Sequence, residues 1–470
     1  MKHLTKKLFS SLVIFSIGSL AVRGIQFVLL PWYTSQLTPQ AYGTAEIWAG
    51  TAELISPVVI LGIHEAMFRF AVQQEEPQNT FTTGISVGLA GSVVWIVGVL
   101  VFWGVLRKAE SFFMLFLALF TGFRMTVSQF LRGMGWAKRY TAAGVCQAVS
   151  LAVFQFALLP GFGSWGYLSA LLLSQLAGAL AAVGIGRLWN YWKPRTVWKN
   201  PLSRQLSRRM IQYSLPMIPA AFFLQMMNVS GRYLVLWSCG EEQAGLYTAA
   251  AKIGAAVRLA VGIFQQAWQY VVSLGWNEDK RARFFAGVFR VYTGGLFIGG
   301  GVLLFILPWV GKILLKGAFQ EAEIYLPLVS AAAVLQGCMA YFSAFYLAEQ
   351  KTKGLFRSAA VCLGVFLTAG FLLVPVLKVW GVLAAGLLAN ASGAVLRAFG
   401  TCKWMPLGKS LWSGAFLGVL FIGQAVAVSC AAGIPGATKV QILLFLVSVV
   451  FAGIWLWRGW RQDFFKSDPV

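Results

Sequence analysis

Long apolar segments recur along the whole chain and leave few folds open to it. Runs such as Val93–Leu106, Leu296–Val310 and Ile442–Trp457 approach the roughly 20 residues that a helix needs to cross a bilayer. Of the 470 residues, 58% are hydrophobic and 11% are charged, which is too little polar surface for a soluble protein of this length. The segments are continuously apolar rather than alternating, so the sequence predicts an all-α membrane protein with about 14 transmembrane helices.

The distribution of positive charge orients these segments. We place the spans at residues 8–32, 44–70, 82–106, 112–131, 141–160, 166–187, 210–237, 244–272, 285–307, 322–347, 356–377, 380–400, 411–431 and 438–457. With the N-terminus inside, 22 of the 38 Lys and Arg fall in cytoplasmic segments and 5 in outer loops. By the positive-inside rule, both termini are predicted to be cytoplasmic, and we expect a multi-pass inner-membrane protein.

The two halves of the chain resemble each other. The sequence WGYLSALLL at residues 165–173 returns as WGVLAAGLL at 380–388, and Pro160 is matched by Pro375. Such repeats are typical of transporters. We predict a six-helix lobe at 1–190, a basic cytoplasmic linker at 191–209, a second six-helix lobe at 210–400 in pseudo-twofold relation to the first, and two further helices with a tail at 401–470.

Motifs for other chemistry are weak or absent. Residues 161–166 match GxGxxG but lie between two spans with no preceding strand, so we interpret them as a turn. Two His and six scattered Cys predict neither a metal site nor a disulfide framework. The cations lie mostly in short loops, which argues against nucleic acid as a partner. We expect no cofactor and no enzymatic activity, since no outer loop is long enough for a polymerase active site.

Ionisable and amide side chains within the spans are the candidate site residues, because charges are costly in the bilayer and tend to face a wet interior. In span 1, Arg23 and Gln26 extend a polar stripe, and the matching span 7 carries Asn228 and Arg232. Span 8 contributes Lys252 and Arg258. These six residues are the predicted substrate-binding residues of a cationic cavity.

Span 2 carries the candidates for coupling or gating, namely Glu53, His64 and Pro57. Glu46 shares one face with them if the helix continues past Pro57 without a large kink. Other interpretations stay open: Arg232 snorkels to the interface, Glu46 lies in the outer interface, or Arg23 and Arg258 form structural ion pairs with Glu53. Cations outnumber the two carboxylates, which predicts a large anion as the ligand.

The first 70 residues resemble a known family. LLPWYT at residues 29–34 and LTPQAYG at 37–43 are similar to the opening segments of bacterial polysaccharide transporters, the Wzx-type O-antigen and capsule flippases. The likeness continues through SP at 56–57, LGI at 61–63 and FRF at 68–70, and GLY at 245–247 echoes the family's second half.

This resemblance implies a two-lobed bundle with alternating access. It implies a flippase that carries undecaprenyl-diphosphate-linked oligosaccharide from the inner to the outer leaflet for surface polysaccharide synthesis. Its partners would be that substrate, membrane lipids, and the glycosyltransferases and polymerase acting on the same glycan. The alternative function is a cation-coupled multidrug or small-molecule antiporter, since the larger superfamily includes such exporters.

Overall fold

The computed structural model describes residues 24–25, 27–73, 77–101, 109–193, 201–273, 278–348, 352–402, 409–430 and 437–464. Every regular element in these ranges is helical. The α-helices are α1 Leu30–Gln36, α2 Pro39–Val59, α3 Ile63–Gln73, α4 Pro77–Val101, α5 Ala109–Gly133, α6 Ala137–Gly186, α7 Pro201–Ser214, α8 Met217–Ser273, α9 Glu278–Leu314, α10 Leu326–Ala348, α11 Thr352–Leu377, α12 Val379–Thr401, α13 Lys409–Cys430 and α14 Ala437–Phe464. Two 3₁₀ segments, Leu188–Tyr191 and Gly317–Tyr325, join them.

Ten stretches of the described chain are long and apolar enough to cross a membrane, or eleven if the bent pair α2–α3 is one span. Two of them, within α6 and α8, are 50 and 37 residues long, well beyond the roughly 20 residues of a single crossing. Each contains a glycine with non-helical backbone angles, Gly163 in α6 and Gly240 in α8, where the run divides into two helices. The predicted all-α membrane fold is confirmed, and most of the first predicted span lies outside the described residues.

The chain forms two units, Met1–Tyr233 and Leu234–Val470. In the first, one apolar core gathers Met67, Phe81, Phe130 and Leu188, and a neighbouring core includes Ile63 and residues of α2, α4, α5 and α7. The predicted lobe, linker and appendix boundaries stay predictions.

Packing in the second unit centres on aromatic residues. The Trp268 ring stacks on Tyr341 with centroids 5.0 Å apart, and its indole nitrogen donates to the Tyr341 carbonyl at 3.2 Å. The Tyr341 hydroxyl donates to the Phe285 carbonyl at 2.7 Å. These bonds satisfy polar groups that would otherwise be unpaired inside an apolar bundle.

The backbone confirms the turn interpretation of residues 161–166 and shows its repeat. Gly163 has φ 55 and ψ −129, and Lys378, which lies 215 residues later, has φ 52 and ψ −129. Three residues beyond each of them, a glycine lies against backbone: a Cβ on Gly166 would sit 2.3 Å from the Leu158 carbonyl oxygen, and one on Gly381 would sit 2.6 Å from that of Leu373. The sequence repeat is therefore also a repeat of local structure.

Candidate functional site

The polar stripes predicted for spans 2 and 7 face each other within the first unit. On α2, Glu46 and Glu53 are seven residues apart, which places them two turns apart on one face. On α8, Arg232 and Gln225 have the same spacing. The Arg232 guanidinium lies 3.3 Å from the Glu46 carboxylate, and the Gln225 amide donates to Glu53 at 3.1 Å. The later residue of one helix pairs with the earlier residue of the other, so the helices run antiparallel.

Glu46 is buried and its carboxylate has several donors. The hydroxyl of Tyr167, on the second segment of α6, donates to it, and the rings of Tyr33 and Tyr42 pack against the Tyr167 ring with centroids 5.1 and 5.8 Å away. Arg232 also donates to the Glu46 backbone carbonyl at 3.1 Å. This ion pair was not among the interpretations left open by the sequence, and in it the charge of Arg232 is offset by a carboxylate.

Glu53 differs from Glu46 in its exposure. Its side chain is exposed, whereas the Glu46 side chain is only 7% exposed. An exposed carboxylate can exchange a proton or meet a cation where water reaches it, which a buried, ion-paired one does only after losing its partner. The predicted coupling role therefore fits Glu53 better than Glu46.

The single polar face predicted through Pro57 and His64 required an unbroken helix, and that condition is not met. Helix α2 ends at Val59, two residues after Pro57, and α3 continues at an angle of 58°. Leu61 and Gly62 turn the chain with φ values of 53 and 63. His64 is buried at the start of α3, and its Nε2 lies 3.5 Å from the carboxylate of Glu65, whose side chain is partly exposed.

The second unit holds Lys252 and Arg258, both half-buried on α8. One Arg258 guanidinium nitrogen donates to the Ala251 carbonyl at 3.4 Å, so the side chain bends back along its own helix. Among the other predicted binding residues, Arg23 and Gln26 lie outside the described residues. Asn228 lies on α8, but its side chain is outside what the structure describes. A common cavity of these residues stays a prediction.

A polar cluster that the sequence did not predict lies between α5 and the two segments of α6. The Nε of Arg124 donates to Oε1 of Gln175, and the Gln147 amide donates to the same oxygen at 3.3 Å. No carboxylate of the described chain lies within ion-pair distance of Arg124. Two isolated glutamines in apolar spans were the available signal, but their separation of 28 residues matches no local spacing.

Comparison with known proteins shows family and fold. Residues 8–269 match the family model described as polysaccharide biosynthesis protein. No curated protein sequence matches the chain significantly.

Solved structures share the fold. The inward-facing conformation of a multidrug resistance MATE family transporter of the MOP superfamily has a TM-score of 0.65 and 16% identity, over 85% of this chain and 99% of that one. The outward-facing conformation of such a transporter gives a TM-score of 0.58 and 16% identity, over 85% of this chain and 96% of that one. A MOP superfamily transporter from Pyrococcus furiosus, which has a binding pocket of reverse polarity, gives a TM-score of 0.60 and 17% identity, over 84% of this chain and 96% of that one. At these identities the likeness is one of fold.

Proposed function

Because the chain belongs to the polysaccharide biosynthesis protein family, we propose that it is a flippase for undecaprenyl-diphosphate-linked oligosaccharide. It would move this substrate from the inner to the outer leaflet of a bacterial cytoplasmic membrane by alternating access. The transporter fold and the match over residues 8–269 support membrane transport in polysaccharide synthesis.

The observation that carries the proposal is the balance of charge inside the spans. The Glu46–Arg232 pair is neutral as a whole, which leaves Glu53 as the second of the two predicted site carboxylates. Against it stand Arg124 in the first unit and Lys252 and Arg258 in the second. Cations held in a low-dielectric region attract an anion, and a diphosphate offers oxygens that a guanidinium binds in bidentate fashion.

The alternative is a cation-coupled multidrug antiporter, because two of the structural neighbours are multidrug resistance transporters. A drug of positive charge would meet repulsion from the excess of cations described above. Accumulation of a cationic dye in cells with and without the protein separates the two functions, because the flippase should leave dye export unchanged.

We expect purified protein in liposomes to move lipid-linked oligosaccharide to the opposite leaflet, and Arg258→Ala to reduce the initial rate by roughly 10-fold or more. The reason is loss of one charge-assisted contact to phosphate. The measurement is accessibility of the sugar to an added enzyme or lectin over time. The control is Arg204→Ala, an exposed arginine of α7, which should leave the rate unchanged. Absence of movement by the wild-type protein would refute the flippase proposal.

The predicted topology has its own test. In a cysteine-free background, single cysteines replace Lys199 and Glu242, and intact cells are treated with a membrane-impermeant maleimide. We expect labelling at position 242, in the outer loop between spans 7 and 8, and none at 199 until the membrane is opened. The reverse pattern would overturn the assignment of cytoplasmic termini.

A further inference from the structure

The two units share a close helix contact whose residues are all separated by 215 positions. In the first unit, a Cβ on Gly178 would lie 2.8 Å from the Gln147 side chain and 3.1 Å from that of Arg124. In the second, a Cβ on Gly393 would lie 2.4 Å from Cys362 and 2.7 Å from Met339. Both glycines thus let two neighbouring helices approach at the equivalent place.

The packing is kept between the units, but the chemistry is not. Arg124, Gln147 and Gln175 occupy the positions that Met339, Cys362 and Asn390 occupy in the second unit. An arginine within a span is costly to insert, by roughly 2.5–3.5 kcal/mol on insertion scales. Met339 and Cys362 make the equivalent contact at Gly393 with uncharged side chains, so packing at this glycine does not by itself require the guanidinium of Arg124.

A second buried arginine shows what a structural role looks like in this fold. In the second unit, Arg397 is 9% exposed and donates to the hydroxyls of Ser358 at 2.9 Å and Ser343 at 2.6 Å, as well as to the Met339 carbonyl at 3.5 Å. It joins α12 to α10 and α11. Arg124 instead makes one hydrogen bond within the described chain, through Nε, and its side chain is half-buried.

The contacts of Arg124 also fix its orientation. Gln175 accepts from Nε and is itself held by the Gln147 amide, so the guanidinium plane is fixed from one edge. The two Nη groups lie at the opposite edge, and no described residue accepts a hydrogen bond from them. Two parallel N–H groups at that edge match two oxygens of a phosphoryl or carboxylate group.

We propose that Arg124, positioned by Gln175 and Gln147, is an oxyanion-binding site inside the first unit. Its ligand is a phosphoryl or carboxylate group of the transported molecule, so this inference rests on the proposed function and names a recognition residue for it. Tyr140 and Glu53 both act on Arg124 electrostatically, but neither forms a hydrogen bond or an ion pair with it, so neither occupies the site.

The decisive variant is Arg124→Met, because the second unit already packs a methionine at the equivalent position. The probes are geranylgeranyl diphosphate and sodium glucuronate, added to the purified protein in detergent, with binding followed by tryptophan fluorescence. We expect wild-type protein to bind at least one of them, and Arg124→Met to bind it roughly 10- to 100-fold more weakly. Arg124→Lys should show an intermediate loss, since lysine keeps the positive charge but lacks the planar pair of N–H donors.

The controls separate the site from general charge and from folding. Arg357→Met removes an exposed arginine of α11 and should bind both probes as the wild type does. An unchanged thermal unfolding midpoint would show that Arg124→Met is folded. Gln175→Leu should also weaken binding, because it removes the acceptor that orients Arg124.

The probe whose binding is lost in Arg124→Met identifies the ligand of the site. Loss confined to the diphosphate identifies a phosphoryl ligand, and loss confined to glucuronate identifies an acidic sugar. Equal binding of both probes by wild-type and Arg124→Met protein, or no binding of either by the wild type, would overturn the site. If the wild type binds a probe through Arg124 but moves no lipid-linked oligosaccharide, the site stands and the proposed function fails.

Discussion

Gly166→Ala is expected to remove most of the folded protein from the membrane. The new Cβ would lie 2.3 Å from the carbonyl oxygen of Leu158. Because the backbone fixes the position of both atoms, no change of side-chain rotamer can relieve this clash. Overpacking against side chains, which can yield, already costs about 1–3 kcal/mol, and a backbone clash should exceed this. The two segments of α6 would have to separate around the turn at Gly163.

The measurement is the yield of monodisperse protein after detergent extraction, together with its thermal unfolding midpoint. Gly161→Ala, in the same turn, is the matched control, since a Cβ there meets nothing within 4 Å and the backbone is not left-handed. Equal yield and midpoint for the two variants would contradict the close backbone contact.

The same experiment in the second unit tests the repeat. Gly381→Ala should be as damaging as Gly166→Ala, because its Cβ would lie 2.6 Å from the Leu373 carbonyl. Gly386→Ala is the control there, with its nearest contact at an ordinary 4.0 Å. A large difference between Gly166→Ala and Gly381→Ala would show that the two turns are packed differently.

Much of this architecture could be predicted from local sequence. Apolar length identifies the spans, and the repeated Pro160 and Pro375 locate the two equivalent turns. The seven-residue spacing of Glu46 and Glu53 correctly identified a polar face of α2, because helical periodicity is a local property.

Contacts between distant helices could not be predicted in the same way. Glu46 and Arg232 are 186 residues apart, and nothing in either segment specifies the pairing. Span 2 was predicted to run from residue 44 to 70 with Pro57 as the possible kink, whereas the chain turns at Leu61 and Gly62, where Leu61 takes an unusual positive φ. Positive φ in a leucine reflects surrounding packing rather than its own preference.

The second large effect is expected at the buried ion pair. Glu46→Ala leaves Arg232 without a carboxylate in a buried position and removes the acceptor of the Tyr167 hydroxyl. Breaking one partner of such a pair typically costs about 3–5 kcal/mol, because the remaining charge is uncompensated. We expect a clear fall in the thermal unfolding midpoint of the purified protein.

Glu65→Ala is the control, since its side chain is 35% exposed and lies 3.5 Å from a histidine rather than an arginine. Exposed pairs contribute about 0–1 kcal/mol, so this midpoint should stay close to the wild type. A Glu46→Ala midpoint no lower than that of Glu65→Ala would contradict the buried pair.

The double variant Glu46→Ala with Arg232→Ala then decides what Arg232 does. With neither charge buried alone, stability should recover most of the loss. If Arg232 serves only to hold α8 against α2, the double variant should also transport. If Arg232 binds the cargo, as its place in the predicted cavity suggested, the double variant should be stable and inactive. Because the carboxylate already offsets the charge of Arg232 whereas Arg124 has no carboxylate within ion-pair distance in the described chain, we expect recovered stability together with retained transport.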